Sequence, residues 1–569
     1  MKIKRLIRTS LLLMAAVMFA ACASEDSVQN KEKSTEKGME APKGGVIFAT
    51  GEPKNNAKHR FAGNAEEFAK TRTSITHTPG QGADAYWTSD DFIWVKDKNG
   101  TWQKSTAIEL HDGGASAEFT LPGNREDYAD GCEVRYTGTS VTKYGAYARA
   151  TSVGIYPTQT RTTANDFSKA GEWGDCGSGV ARNTGNPDKF NFTLSHKSAY
   201  LCFLPRCTNT ALAANIRLKG IKITATKVYS MSLTYFLSDL CGFDGESLRL
   251  GASPFGYNYI SVTLPNFPLY TTANQAANAT YLVVPPDTYD FRIEYTIVDL
   301  SNNVKGTIKQ TLTNVTLNKG EINDIIYDLT PREFSPKSFK YYAWDAQQDF
   351  WHGHEDEQPT INNGQPGATQ GNAPQNNTDP RWKSEIYPGP GVRQDAQTAV
   401  FKKLPNVNEL VWYLKKGDPH WGTSDEVYAK NGHLLRVEGL WLRKKNAIVN
   451  YLKANEGYPS SFTIDDLKEG YKASATAPLE DYRIGLFSQP FWPTQGAPAN
   501  TADYFFLPVL GYYLPDGWLY SFGWACDYWS SSGYSISGDS AYALVIYSST
   551  HLMIRPESRI CALPILPFE

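Results

Sequence analysis

The chain has 569 residues, 56 of them basic and 59 acidic, for a net charge of −3 at pH 7. That length suits roughly two to four domains, each able to bury its own core, while a chain with no basic stripe beyond its first residues lacks the electrostatic footprint of a nucleic-acid binder. Aromatic residues make up 13%, with 33 Tyr against 26 Phe and 14 Trp besides, a balance that favours β-sheet and contact surfaces over helical bundles.

The chain opens on a basic stretch with Lys2, Lys4, Arg5 and Arg8, an apolar run from Leu11 to Phe19, and small residues at Ala20 and Ala21 before Cys22. This is the layout of a secretory signal over residues 1–21. The apolar run is short of the about 20 residues that span a bilayer, which favours a cleaved signal over a retained membrane helix. Its removal takes away four basic residues and no acidic one, leaving 52 against 59 and a net charge of −7.

Phe19-Ala20-Ala21-Cys22 resembles the bacterial lipobox, which implies cleavage before Cys22 and diacylation of its thiol. Ala23-Ser24-Glu25-Asp26 resembles the acidic export tag of Bacteroidetes surface lipoproteins, which implies an outer-membrane, cell-surface location with the lipid as anchor. Residues 22–43 are polar and rich in Lys, Glu, Ser and Gly, and read as a flexible tether.

Residues 44–205 carry short alternating runs between turn signals. Phe92-Ile93-Trp94-Val95, Lys98-Asn99-Gly100 and Trp102 predict a hairpin in which Asn-Gly supplies positive φ angles. Phe190, Phe192 and Leu194 alternate, as do Leu201 and Phe203 before Pro205, predicting two half-buried strands. In residues 206–332, Phe291, Ile293, Tyr295 and Ile297 point to one face and Arg292, Glu294 and Thr296 to the other, and Asn318-Lys319-Gly320 marks a turn before a strand from Ile322 to Leu329. Neither region offers a long amphipathic helix, and short strands with intervening turns predict β-sandwiches.

Residues 333–380 form a linker and long loop, rich in Asn, Gln, Gly and Pro from Gln347 onward. Beyond it the pattern changes. Val407, Leu410, Val411 and Leu414 fall at helical spacing, Asn406 with Glu409 predicts a capping box, and Gly417 closes the helix. Aromatic and β-branched runs follow at 504–513 and 541–547, so residues 381–569 read as α+β, with a first strand near 338.

Beyond Cys22 there are seven cysteines, which cannot all pair. Cys526 and Cys561, both in the last segment, are the expected disulfide, while pairing and free buried thiols remain equally open for the other five.

Thr71-Arg72-Thr73-Ser74-Ile75, then Trp87 and Asp90-Asp91-Phe92-Ile93-Trp94-Val95, resemble the opening of fimbrillin-like surface lipoproteins of the Bacteroidetes. Over residues 45–332 the resemblance implies two transthyretin-like β-sandwiches. It also implies that a trypsin-like protease removes an early strand, so that other pilus subunits complete the sheet by donor-strand exchange. Val46 to Thr50 is then the leaving strand, and Arg60 or Arg72 the cleavage site.

Asp527-Tyr528-Trp529-Ser530-Ser531-Ser532, Ala541-Tyr542-Ala543-Leu544 and Ser558-Arg559-Ile560-Cys561 resemble the ending of the major paralogous domain first named from Fibrobacter. Over residues 338–569 this implies a C-type-lectin-like fold. The domain departs from that pattern where Arg559 directly precedes Ile560-Cys561 and Pro564 and Pro567 follow. Calcium-dependent sugar binding in this fold uses Glu-Pro-Asn or Gln-Pro-Asp and then Trp-Asn-Asp; no such pair is present, and Glu357-Gln358-Pro359 comes too early. Trp529 is expected in the core.

His352-Gly353-His354-Glu355-Asp356-Glu357 is expected to be a solvated charge run rather than a metal cluster. Gly174-Asp175-Cys176-Gly177-Ser178-Gly179 reads as a Gly-rich turn, with no recognisable base for a nucleophile. Asp539-Ser540-Ala541 resembles a Bacteroidetes O-glycosylation site over only three residues. An enzyme of the formylglycine-generating type would rest on Cys526 and Cys561 alone, so no enzyme, cofactor or metal is expected.

The reading that follows is a cell-surface pilus tip or accessory subunit, an adhesin that binds a glycan or protein ligand through its C-terminal domain. Trp421, Trp492, Trp518 and Trp524 are its candidate ligand-binding aromatics, with Trp441 also in view. The alternative is a non-polymerising glycan-binding lipoprotein of a nutrient-uptake system.

Overall fold

The computed structural model describes residues 45–50, 74–80, 82–139, 149–186, 189–230, 236–249, 256–363, 372–547, 549 and 551–569. Cys22, Arg60 and Arg72 lie outside them. The protein is mainly β, with several sheets and few helices.

The first described strand, Val46–Thr50 (β1), is followed by a hairpin of Ser74–Thr78 (β2) and Gly82–Tyr86 (β3). An eight-stranded sheet comes next, in which Ser116–Leu121 (β4) and Lys189–His196 (β5) receive β1 between them. Its core takes alternate residues of each strand, among them Val46 and Phe48, Phe119 and Leu121, and Phe190 and Phe192, as period-2 patterning requires. The predicted hairpin forms from Trp94–Lys96 and Trp102–Lys104. In its turn only Gly100 takes a positive φ, of 83°. The Asp97 carboxylate organises the rest by accepting from the Asn99 and Thr101 amides at 2.9 and 2.8 Å, an Asx arrangement that does without a left-handed asparagine.

Ala199–Arg206 (β6) pairs with Thr280–Val284 (β7) on one side and Ile322–Asp328 (β8) on the other. Pro205 and Arg206, on either side of the expected domain boundary, thus lie in one strand, and that strand's partners come from the second half of the sandwich region. The strand is also not half-buried as its alternation predicts. Leu201 and Phe203 enter the core shared with a five-stranded sheet, while Tyr200, Cys202 and Leu204 enter a second core beneath the β2–β3 hairpin. In the five-stranded sheet, Asp287–Asp299 buries Phe291, Ile293, Tyr295 and Ile297 fully and turns Arg292 outward, as its alternation predicts. Among the described residues before 333 the only α-helices are Thr210–Asn215 and Gln275–Asn278.

The C-terminal third holds a six-stranded and a four-stranded sheet around one large core. The predicted helix is Val407–Lys416, α1. The Asn406 side chain accepts from the Glu409 amide at 2.9 Å, and Glu409 accepts from the Asn406 amide at 2.8 Å, so the box closes both ways. Residues 407–414 are all buried, more than its one apolar stripe demands, because the helix lies inside the core rather than on it. Tyr341–Tyr342 pairs with Leu563–Pro564, joining the start and finish of this region.

Asp527, on the strand Cys526–Gly533, is buried beside Glu557, and burial pushes its carboxyl up to about 8 from 3.8. The folded chain therefore keeps a proton that the unfolded chain releases above about pH 4. This group's contribution to stability is fully present below that pH and is lost as pH rises toward about 8, at up to about 1.4 kcal/mol per unit. Asp527→Asn should equal the parent protein in urea midpoint near about pH 4 and gain on it steadily up to about pH 8. An advantage independent of pH would contradict this assignment.

Candidate functional site

β1 takes an interior position in the first sheet. β1 runs antiparallel to β4, with Phe48 opposite Phe119, and parallel to β5, with Phe48 opposite Phe190. The Phe48 ring stacks on Phe190 at 4.7 Å and meets Tyr128 edge-on at 5.2 Å. Past the last ladder pair to β4, the Thr50 hydroxyl continues the pairing by accepting from the Ala117 amide at 2.9 Å.

Only β1 joins the β4 pair to the other five strands, since β4's remaining neighbour is Ala107–His111. Without β1 the sheet would be split, with two unpaired edges facing each other over an apolar floor. That geometry accepts an incoming strand. At the Thr50 end lies an open cleft of 610 Å³ that includes His111, Glu118, Lys189 and Asn191. There Glu109, His111 and Glu118 come together, but Glu118 is already paired with Lys189 at 2.6 Å.

The candidate aromatics separate. Trp421 is buried in the C-terminal core, which corrects its assignment as a ligand-binding ring: on the strand His420–Thr423 it pairs with Leu440 and its side chain faces inward. Trp441 is likewise buried, against Phe506. Trp492 and Trp524 are 73% and 58% exposed, and Trp518 is half-buried. Trp492 follows Gln489–Phe491 and Trp524 follows Leu519–Phe522, the opposite edge strands of the six-stranded sheet. Five strand spacings put those edges roughly 24 Å apart, so the two rings offer separate contact points rather than one platform, and Trp518 shares an edge with Trp524.

Cys526 and Cys561 are separate thiols, which corrects the expected disulfide. The strand Cys526–Gly533 turns Cys526 into the main core, where its Sγ contacts the Gly511 carbonyl at 3.5 Å, whereas Cys561 packs with the cluster of Trp344 and Trp529 on the other face. Cys561 lies in the turn after the strand His551–Ser558, its amide bonded to the Ser558 carbonyl at 3.0 Å, rather than on a strand paired to Cys526, and the two sulfurs enter different cores. Trp529 is buried, as expected, and its indole donates to the Tyr342 carbonyl at 2.8 Å.

The His352–Glu357 run is exposed, with His354 paired to Glu357 at 3.5 Å. Gln358 is instead drawn inward, donating to the Tyr513 hydroxyl at 3.0 Å. The Gly174–Gly179 segment is a turn only at its start, since Gly177–Asn183 is a strand of the eight-stranded sheet; sequence reading missed a buried cluster beside it, in which Asp175 Oδ1 lies 3.0 Å from His196 Nδ1 and 2.5 Å from the Tyr200 hydroxyl. Cys176 sits 3.3 Å from Ser198 Oγ, and burial pushes its thiol well up. The Asp175 and His196 side chains are fully enclosed, so the cluster braces the turn and offers no route for a substrate. A His four residues before a Tyr was its one trace in the sequence.

No protein-family model and no curated protein matches the sequence. Among solved structures it is similar to a "putative cell adhesion protein" from Bacteroides ovatus, at 14% identity and a TM-score of 0.27 over 46% of this chain and 91% of that one. It is similar to another from Bacteroides fragilis at 9% identity and a TM-score of 0.26, over 50% and 92%. A third is a fimbrial protein from Bacteroides ovatus at 9% identity and a TM-score of 0.21, over 88% of this chain and 99% of that one.

Proposed function

We propose that the chain is a cell-surface lipoprotein, anchored in the outer membrane through acylated Cys22, that acts as a pilus tip or accessory subunit. Its first two regions are fimbrillin-like, transthyretin-like sandwiches, and residues 381–569 form a C-type-lectin-like head that binds a glycan or protein ligand. The observation that carries this reading is the interior position of β1, a strand whose departure opens a groove between β4 and β5. Cleavage after Arg60 or Arg72 separates β1, together with the lipid, from the rest of the chain. A donor strand from another pilus subunit then fills the groove.

Residues 568 and 569 are packed against the C-terminal core. Phe568 packs against Tyr413, Phe505 and Tyr528, and the Glu569 side chain accepts from the Tyr413 hydroxyl at 2.7 Å. A segment held in this way is not free to serve as a donor. Among the described residues no helix is long and apolar enough to cross a membrane.

The test is mass measurement of the native N-terminus before and after trypsin, followed by sizing of the product with other pilus subunits. Expected are an acylated Cys22 form, an N-terminus at residue 61 or 73 after cleavage, and assembly only after β1 is lost. A chain that stays monomeric after β1 is removed would overturn the pilus role. The exposed Trp492 and Trp524 rings favour the second reading, a glycan-binding lipoprotein that does not polymerise, and tight binding to a dietary polysaccharide without assembly would establish it.

A further inference from the structure

The β2–β3 hairpin lays a histidine over a row of side chains that the sheet beneath it holds in register. On β6, Cys202 pairs directly with Tyr281 of β7 on one side and with Asp324 of β8 on the other. Residues directly opposite on adjacent strands leave the sheet on the same face. β2 buries Ile75 and His77 and turns Thr76 and Thr78 out, so its buried face brings the imidazole onto this row. His77 Nε2 stands 3.4 Å from Asp324 Oδ1, and one ligand atom each of His77, Cys202 and Asp324 lie within 4.8 Å of one another.

The far side of the ring fixes what Nε2 presents. His77 Nδ1 lies 3.3 Å from the Tyr281 hydroxyl. That hydroxyl donates its single proton to Asn165 Oδ1 at 2.8 Å and accepts from Gln275 Nε2 at 3.0 Å. With that proton placed on Asn165 the hydroxyl accepts from His77 Nδ1–H, an arrangement that leaves the Nε2 lone pair facing the carboxylate. A lone pair, a carboxylate and a sulfur thus converge. An imidazole oriented through its other nitrogen by a hydrogen bond is the usual arrangement of a metal-ligating histidine.

We propose that His77 Nε2, Cys202 Sγ and an Asp324 carboxylate oxygen bind one divalent transition-metal ion. One nitrogen, one sulfur and one oxygen form a zinc donor set. In a tetrahedron with bonds of about 2.0–2.3 Å, ligand atoms are roughly 3.3–3.8 Å apart, and the 3.4 Å between His77 and Asp324 matches that edge. The Cys202 thiol gives up its proton to solvent as the thiolate takes the metal. His77 and Cys202 are buried and Asp324 is exposed, so the fourth position opens on the Asp324 side. The ion ties the β2–β3 hairpin, the first described element after β1, to the β6–β8 sheet.

Cobalt(II) serves as the probe, added to the full chain in a Cys22→Ser background. Expected are one ion per chain by native mass spectrometry and a near-ultraviolet thiolate-to-cobalt charge-transfer band. The band should be lost in Cys202→Ser and kept in Cys207→Ser, whose sulfur lies in another core. Asp324→Asn, at an exposed residue, should weaken binding at least tenfold while circular dichroism stays unchanged, and it decides the matter if Cys202→Ser does not fold. No band in the parent chain, a band that survives in folded Cys202→Ser, or undiminished binding in Asp324→Asn would overturn the site.

Discussion

Phe48→Ala is expected to destabilise the first core by about 3–5 kcal/mol, the range for removing a buried phenylalanine and leaving its cavity. Phe48 is fully buried, stacked on Phe190 and edge-on to Tyr128, and aromatic pairs of that geometry add about 0.5–1.5 kcal/mol beyond area alone. The larger consequence is architectural. Phe48 is the central apolar residue of a five-residue strand, and when that strand lets go, β4 and β5 lose their shared neighbour. The shift should be confined to the denaturation transition of the first core, because the other cores take no residue from β1. Ile47, on the opposite face and half-buried, provides the control, and Ile47→Ala should cost only roughly 1 kcal/mol. Equal costs for the two substitutions would mean that β1 is held by its backbone ladder alone. A synthetic peptide spanning residues 45–50 should partly restore the Phe48→Ala transition, the same capture that a donor strand would achieve.

Arg559→Ala is the second large effect, expected at about 4 kcal/mol in the C-terminal region. The side chain is fully buried, with its guanidinium 4.3 Å from the Trp344 ring centre. Nε donates to the Ser540 carbonyl at 2.9 Å and Nη1 to the Ser384 and Ile386 carbonyls at 3.3 and 2.9 Å, while Nη2 donates to the Gln394 side chain. Burial lowers its affinity for the proton to about 10, from 12.5, and it remains charged at neutral pH. The residue thus pins the irregular segment around 384–394 to the strand Ser540–Tyr547. Its removal takes the donor from the buried Gln394 side-chain oxygen and from the Ser384 carbonyl, an unsatisfied buried acceptor costing about 1–3 kcal/mol, while the Ser540 and Ile386 carbonyls keep the Tyr534 amide and the Gln394 amide group as donors. Arg559→Met separates this effect from packing: methionine refills much of the volume over Trp344 but donates nothing, so it should cost nearly as much as alanine. Recovery of most of the stability by methionine, read from thermal melting and the near-ultraviolet tryptophan signal, would show that packing dominates. Arg559→Lys should fall between, since one ammonium cannot reach acceptors spread around a planar fork.

Arg559 also illustrates how unevenly the sequence could be read. Its place at the end of a strand is visible from the run before it, and the strand His551–Ser558 stops just there. Its four acceptors are not visible, because they come from segments brought in by the fold. The same division runs through the molecule. The capping box of Asn406 and Glu409, the alternation of Phe291 to Ile297 and the turn closed by Gly100 all follow from bonds and periods spanning a few residues, and each was legible. Trp421 and Trp492 each follow a proline by two residues, yet one is core and the other exposed, since a single ring carries no sign of whether the fold will cover it.

What the sequence by itself determined is the class of the chain and the apolar faces of several elements: mainly β up to residue 332, though with strands as long as 13 residues where short ones were expected, and one well-capped helix beyond the long loop, while the helix Lys445–Asn455 went unread. Tertiary structure alone decided which strands became neighbours. It placed β1 between β4 and β5, buried β6 on both faces, sent Cys526 and Cys561 into different cores, and brought His77 over Cys202 and Asp324. The physical reason is range. A period of two is enforced within each strand by its own backbone, whereas pairing, register and the covering of a second face depend on segments far away in the chain, 71 residues for Phe48 and Phe119 and 142 for Phe48 and Phe190, whose contacts leave no local pattern to read.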